Sequence, residues 1–318
     1  MSQKKYVEDY VYQGCGNTFI IHHLSDKKAI LTLKQSISQL KNLAQRGIEA
    51  GVDSIMVISG DPFAFDSQGY HVTMDVFEPN AFNEKNPFIA WSTMCGNGVR
   101  SVAQYLHDHY AQQDVFVIKT GSGNQTVVRE GVNWRVHMGK FIQDKKIVSK
   151  YISKNEMLTL SQFQIEGETF HLKEHVHVGL HYQDEHLIDG EPHAVVFATK
   201  KYACEELKEK AMIVGEVITN NLMIFPQEIN TSLVSIDHID EKAKKIYVYA
   251  ATYERNIYYV TQACGTAATV IGSLLFEEMG LNHTWSIIVH MPGGDLVIKK
   301  DEKDEYYLIG DAVSCKKD

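Results

Sequence analysis

The sequence predicts an α+β protein built from two related halves. Strand and helix signals are interspersed along the chain, and few of the helices are long. The 318 residues, 44% of them apolar, exceed what one hydrophobic core usually serves. The segment from Cys95 to Leu106 can also be laid over the segment from Cys264 to Leu275, about half the chain later. Both open with Cys-Gly and continue through small residues. Both then carry an aliphatic residue (Val102, Ile271) and a leucine (Leu106, Leu275) at the same spacings. Two helices can agree by coincidence when each opens with glycine, but the shared cysteine favours a duplicated domain.

Residues 6–12 and 18–23 read as strands around a turn at Gly14-Cys15-Gly16-Asn17. Residues 34–47 read as a helix and Ser54–Ser59 as a buried strand. The stretch 61–90, with Pro62, Gly69, Pro79 and Pro87, reads as strand pieces joined by long loops. A helix follows Cys95-Gly96-Asn97-Gly98 to about Tyr110, and Val115–Lys119 is a strand. Thr120-Gly121-Ser122-Gly123 is the first domain boundary the composition offers. Strands are expected at 125–129, 133–138, 167–171, 175–181 and 194–199, then a helix over Glu205–Asn220. Ile229–Ile236 and Lys245–Ala251 are strands. Cys264-Gly265-Thr266-Ala267 opens a helix that Gly280 stops, and two strands follow around Pro292-Gly293-Gly294. The charged run Lys299–Glu305 reads as a solvated turn. The expected domains are 1–122 and 123–304, with a strand in 305–318 returning to the first.

Composition excludes several function classes. The formal net charge of -9 supplies no basic face for nucleic acid. No stretch approaches the 18 apolar residues of a spanning helix, and no apolar region follows the lysines of the N-terminus, so neither a membrane span nor a secretory signal is expected. Five widely spaced cysteines make no disulfide framework and contain no Cys-x-x-Cys pair for zinc. Reduced thiols in a cytoplasm are the expectation.

Two of the five stand apart. Cys95 and Cys264 each precede a helix, where unpaired N–H groups and the positive end of the dipole favour a thiolate. The adjacent glycines let another molecule approach the backbone, and the same N–H groups suit a carboxylate. If the two ends face one substrate, one sulfur removes the α-proton from one side of a carbon. The other donates a proton from the opposite side, which inverts the stereocentre. Such chemistry needs no metal and no other cofactor. Cys15, Cys204 and Cys315 lack a helix start and read as packing residues.

These motifs carry a resemblance. Cys-Gly-Asn-Gly-x-Arg at 95–100, and Tyr253-Glu254-Arg255 followed by Ala263-Cys264-Gly265-Thr266, resemble the two catalytic motifs of the diaminopimelate epimerase family. Gly14-Cys15-Gly16-Asn17-Thr18-Phe19, Gly190-Glu191-Pro192-His193, Phe225-Pro226 with Asn230, and Pro292-Gly293-Gly294 resemble its further segments, in family order. The resemblance implies two pseudo-symmetric domains, each a β-sheet wrapped around a central helix, with the site in the cleft between them. It implies Cys95 and Cys264 as the acid–base pair, with His193 and Glu254 helping to set their protonation. Asn17, Asn230 and Arg255 would contact substrate. Gly96, Asn97, Gly265 and Thr266 would offer backbone N–H groups to its α-carboxylate.

The chain departs from the family at positions that shape the distal half of the substrate pocket. Glu191 stands where the family usually has Asn. Asn86 falls, without gaps, where a family Asn precedes the first cysteine; with an insertion, Glu78 takes that place instead. Arg255 is followed by Asn256 rather than glycine. The expected partner is a small-molecule amino-acid substrate, with diaminopimelate first. A basic amino acid such as histidine, lysine or ornithine is the rival if Glu78 or Glu191 lines the pocket. A homodimer stays open. His175, His177 and His181 share one strand face; a metal-dependent hydrolase built on them is a distant alternative, and no metal is expected.

Overall fold

The computed structural model describes residues 10–24, 26–110, 112–142, 162–165, 168–171, 176–182, 191–255 and 257–315. The chain divides into two compact units, Met1–Val136 with Gly310–Asp318, and His137–Ile309.

In the first unit, β1 (Tyr10–Gly14) and β2 (Asn17–Leu24) form a hairpin. Its two turn residues, Cys15 and Gly16, have φ 48 and 78, so both are left-handed, as a tight hairpin turn requires. Helices α1 (Lys27–Gln35) and α2 (Ile37–Ala50) then cross to β3 (Ser54–Gly60), which lies parallel to β2. The sequence suggests one helix over 34–47, and the structure has two. Ser36 ends α1 and caps α2, its hydroxyl accepting from the Gln39 N–H at 3.4 Å. Asp26 caps α1 in the same way. Leu40, Leu43, Ala44 and Gly47 form the buried stripe of α2, at helical spacing.

Strand β4 (Val72–Phe77) runs antiparallel to β3. Two single-turn 3-10 helices, Pro79–Ala81 and Pro87–Ala90, lead to β5 (Trp91–Ser92), which pairs with the end of β4. Helix α3 (Gly96–His109) crosses to β6 (Val115–Thr120), parallel to β4. The meander continues through β7 (Gly123–Glu130) and β8 (Asn133–Ile142). Residues 120–123 are the hairpin turn between β6 and β7; the division between the units falls within β8.

In the second unit, β9 (Gln162–Ile165) and β10 (Glu168–His171) pair antiparallel as a two-stranded sheet among the described residues. Strand β11 (Val176–Tyr182) is antiparallel to β12 (Glu191–Phe197). Helix α4 (Cys204–Thr219) crosses to β13 (Asn230–Asp240), parallel to β12. Next come β14 (Lys245–Glu254), antiparallel to β13, and the short β15 (Tyr259–Val260) on its end. Helix α5 (Gly265–Glu278) crosses to β16 (Ser286–Met291), parallel to β14, and β17 (Gly294–Lys300) and β18 (Tyr306–Gly310) follow antiparallel. The charged run before β18 is a turn closed by Asp301, whose carboxylate accepts from the N–H groups of Lys303 and Glu305. Strand β19 (Val313–Ser314) pairs with β1 in the first unit.

The two units repeat one topology. In each, an antiparallel pair is followed by a helical crossover to a parallel strand and then an antiparallel partner. A short strand on that partner's end comes next, and a second helical crossover follows. The second crossover is the helix opened by Cys95 or Cys264. Both of these helices are core elements. Residues 96–103 of α3 are buried, and so are 267–276 of α5. Helices buried on all sides lack a polar face, which is why α5 reads as apolar throughout. Each fully buried Val, Ile or Leu along them contributes about 1.5–3 kcal/mol. Close packing needs Gly272: a Cβ there would lie 2.7 Å from the Ile298 side chain on β17. Among the described residues, no helix is long and apolar enough to cross a membrane.

Candidate active site

In the first unit, Cys95 is the N-cap of α3. Its backbone is extended (φ -140, ψ 115), and its Sγ accepts from the Gly98 N–H at 3.3 Å. Gly96 and Asn97, which form the first turn of α3, are buried. A second segment meets this turn. An added Cβ on Gly14 would lie 3.3 Å from the Asn97 carbonyl oxygen, so the hairpin carrying Asn17 packs against the helix start.

Arg100, fully buried, ties these pieces together. It donates through Nη2 to the Asn97 Oδ1 at 2.9 Å, through Nη1 to the Gly96 carbonyl, and through Nε to the Asp311 carbonyl. Asp311 in turn accepts the Cys15 N–H on Oδ1 at 2.7 Å. The Asn97 side chain is therefore engaged with Arg100. The Cys15 thiol is pushed up to about 12 by burial; Arg100 opposes the shift and Asp311 adds to it. Cys15 is a packing thiol, as its sequence context suggests.

Asn86 and Glu78 lie in different settings. Asn86 is exposed and precedes the second 3-10 helix. Glu78 follows β4, is half-buried, and accepts a hydrogen bond from the Ser92 hydroxyl on β5.

In the second unit, Cys264 is the N-cap of α5 and is buried. Its Sγ lies 3.3 Å from the Thr266 hydroxyl. The sequence leads one to expect a lowered thiol pKa at a helix start, and the structure reverses that expectation. Burial pushes the Cys264 thiol well up, and the Glu254 carboxylate adds to the shift. The Thr266 hydroxyl and the Ala267 N–H oppose it, and Glu191 raises it further. Desolvation and two carboxylates outweigh the helix end, so Cys264 is a protonated thiol at neutral pH.

Glu254 ends β14 and accepts from the Thr261 hydroxyl at 2.6 Å. His193 is fully buried on β12 and lies opposite Asn230 in the parallel register. Asn230 accepts the Arg255 N–H at 3.0 Å. Arg255 donates through Nη1 to the Gln227 carbonyl and pairs through Nη2 with Glu191 Oε2 at 2.8 Å. The structure thus gathers Cys264, Glu254, Glu191, Arg255 and Asn230 into one cluster, with His193 beside Asn230. Thr261 and Asp311 were not anticipated from sequence. Thr261 had a signal, because it lies three residues before Cys264, as Ser92 does before Cys95; Asp311 had none.

Cys204 is the first residue of α4, contrary to its sequence reading, but Ala203 is the cap and burial raises the thiol. Among the described residues, no group of three His, Cys, Asp or Glu could hold a metal ion. His175, Gly190 and Asn256 lie outside the described residues. A surface hollow beside α1 and α2, lined by residues including His22 and Arg46, contains none of the motif residues.

No family model matches the chain. Relatives and solved structures do. A phenazine biosynthesis protein of the PhzF family from Bacillus anthracis is similar with a TM-score of 0.61 at 14% identity, covering 97% of this chain and 96% of that one. A hydroxyproline epimerase from Agrobacterium vitis is similar with a TM-score of 0.53 at 12% identity, covering 96% and 88%. These likenesses define the class, the duplicated α+β fold shared by such epimerases and PhzF proteins. By sequence, the chain is 30% identical over 232 residues to a diaminopimelate epimerase of Bacillus cereus, covering 70% of this chain and 71% of the relative. It is 26% identical over 309 residues to one of Alkaliphilus metalliredigens, covering 94% and 92%. The chain belongs to the diaminopimelate epimerase family, and it is an isomerase.

Proposed function

We propose that the protein is a cofactor-independent amino-acid epimerase or racemase in which Cys95 and Cys264 work as an acid–base pair at one α-carbon. The observation that supports this best is their equivalence: each is the N-cap of the buried second-crossover helix of its unit. The reading requires both sulfurs to reach one substrate. Cys264, buried and beside Glu254, is suited to giving a proton in the resting enzyme. Cys95, less buried and beside the Gly98 N–H, is the sulfur suited to taking one. The helix-start N–H groups at Gly96, Asn97, Gly265 and Thr266 would hold the α-carboxylate and the charge that builds on it.

The relatives' name makes diaminopimelate the first substrate to test. One observation favours a second reading, a basic amino acid. Arg255, which the family resemblance assigns to substrate contact, is already paired with Glu191. That pairing removes the cation a distal carboxylate would seek. The test is deuterium incorporation at Cα in D2O, without added cofactor, across diaminopimelate and the L- and D-forms of basic amino acids. Exchange that survives intact in both Cys95→Ala and Cys264→Ala would rule out the two-thiol reading.

A further inference from the structure

The duplication gives Glu254 a counterpart in the first unit. Phe77 on β4 faces Trp91 on β5, and Tyr253 on β14 faces Val260 on β15. Matching these registers sets Glu78 at the position of Glu254 and Ser92 at the position of Thr261. The hydrogen bonds agree with the match. The Ser92 hydroxyl donates to Glu78 Oε1, as the Thr261 hydroxyl donates to Glu254 Oε1. The backbone agrees as well: the Glu78 N–H bonds the Ala90 carbonyl, and Glu254 faces Tyr259, the residue that corresponds to Ala90. Each hydroxyl lies three residues before its cysteine. The connection between the glutamate and its hydroxyl is longer in the first unit, 14 residues against 7. In the first unit this holds two 3-10 helices, and sequence spacing therefore hides the correspondence.

From this repeated constellation we infer that Glu78 is a positioning residue for Cys95, held by Ser92 and acting on that thiol as Glu254 acts on Cys264. Each thiol then has its own hydroxyl-anchored carboxylate. The carboxylate disfavours a negative charge on the neighbouring sulfur. The inference rests on the two-thiol reading for its catalytic meaning, but its central test does not require activity.

The test is the pH dependence of Cys95 alkylation by iodoacetamide in the folded protein, followed by peptide mass spectrometry. Glu78→Gln keeps an oxygen for Ser92 to bond and removes the charge. It is expected to lower the midpoint of the Cys95 profile by about one pH unit, roughly a tenfold gain in thiolate at fixed pH, and to leave the Cys264 profile in place. Glu254→Gln should do the reverse, moving Cys264 alone. Ser92→Ala provides a second variant should Glu78→Gln fail to fold, and it should move the Cys95 profile without moving that of Cys264. A Cys95 profile unchanged in whichever of these variants folds would overturn the inference. If the native protein exchanges no Cα proton on any substrate while the profiles move as described, the proposed function fails and the Glu78–Cys95 relationship stands.

Discussion

Glu191 opens β12 and Arg255 follows the last residue of β14, with Oε2 and Nη2 2.8 Å apart. Both side chains are partly exposed, so the pair contributes little to stability. Its importance lies in which charges remain for a ligand. Glu191→Asn releases the guanidinium. The ratio of kcat/KM for diaminopimelate over kcat/KM for a basic amino acid should rise about tenfold or more, equivalent to ~1.4 kcal/mol. Steady-state kinetics on both substrates measure it. A ratio unchanged by the substitution would remove Glu191 from substrate selection.

The two cysteines should be lost separately and at high cost. Cys95→Ala and Cys264→Ala are each expected to lower kcat by about 10²–10⁴-fold, the range of a positioned acid–base group. Their KM values should change far less, because the helix-start N–H groups remain. Initial rates from each enantiomer, compared with circular dichroism of the substrate, check this. Retained kcat in either variant would show that the other thiol works alone.

Stability should fall on the alkaline side. Cys15 ionises at about 12 in the folded protein, raised by burial above its ordinary value. Below pH 9 the thiol is protonated whether the chain is folded or not, so the fold loses nothing. Above pH 9 the unfolded chain ionises it and the folded chain does not. The unfolding free energy then drops by roughly 1.4 kcal/mol per pH unit from this group until the folded value is reached. Cys264, Tyr12, Tyr105 and Tyr306, all raised chiefly by burial, act in the same direction. Urea unfolding from pH 8 to 11 should show the slope, and Cys15→Ser should flatten it. An identical slope in that variant would contradict the assignment.

Gly215 is where α4 meets β14. A Cβ there would lie 2.2 Å from the Tyr253 Cβ, an atom fixed to the backbone and unable to turn away. Gly215→Ala should therefore cost about 1–3 kcal/mol despite the better helix propensity of alanine. Because Tyr253 precedes Glu254, activity should fall too. Thermal unfolding and Cα exchange measure the two effects, and an unchanged Tm would mean that α4 can move off the strand freely.

Much of this was legible in the sequence, for reasons that differ by residue. Cys95 and Cys264 could be read because a helix start has a local signature, and the same signature recurs in both halves. Glu254 could be read because Tyr253-Glu254-Arg255 resembles part of the family's second catalytic motif. Glu78 could not be placed with the same assurance: its link to Ser92 depends on strand register across two 3-10 helices, and register is a tertiary property. The Ser36 break was hidden for another reason. A serine inside an apolar-periodic stretch fits one long helix as well as two capped ones. The raised pKa of Cys264 was misread because the dipole is visible in a sequence, whereas burial and the approach of Glu191 are not. Asp311 lay beyond reach, since nothing in Gly310-Asp311-Ala312 points to a partner 296 residues away.

That separation has a consequence for how the protein is made. The hairpin turn at Cys15 receives its acceptor from Asp311, and β1 receives β19 as a partner. During synthesis the first unit must wait, incomplete, until all of the second has been translated. The second unit is one uninterrupted stretch and meets no such delay. Folding order should therefore run against chain order, with the unit that is begun first finished last.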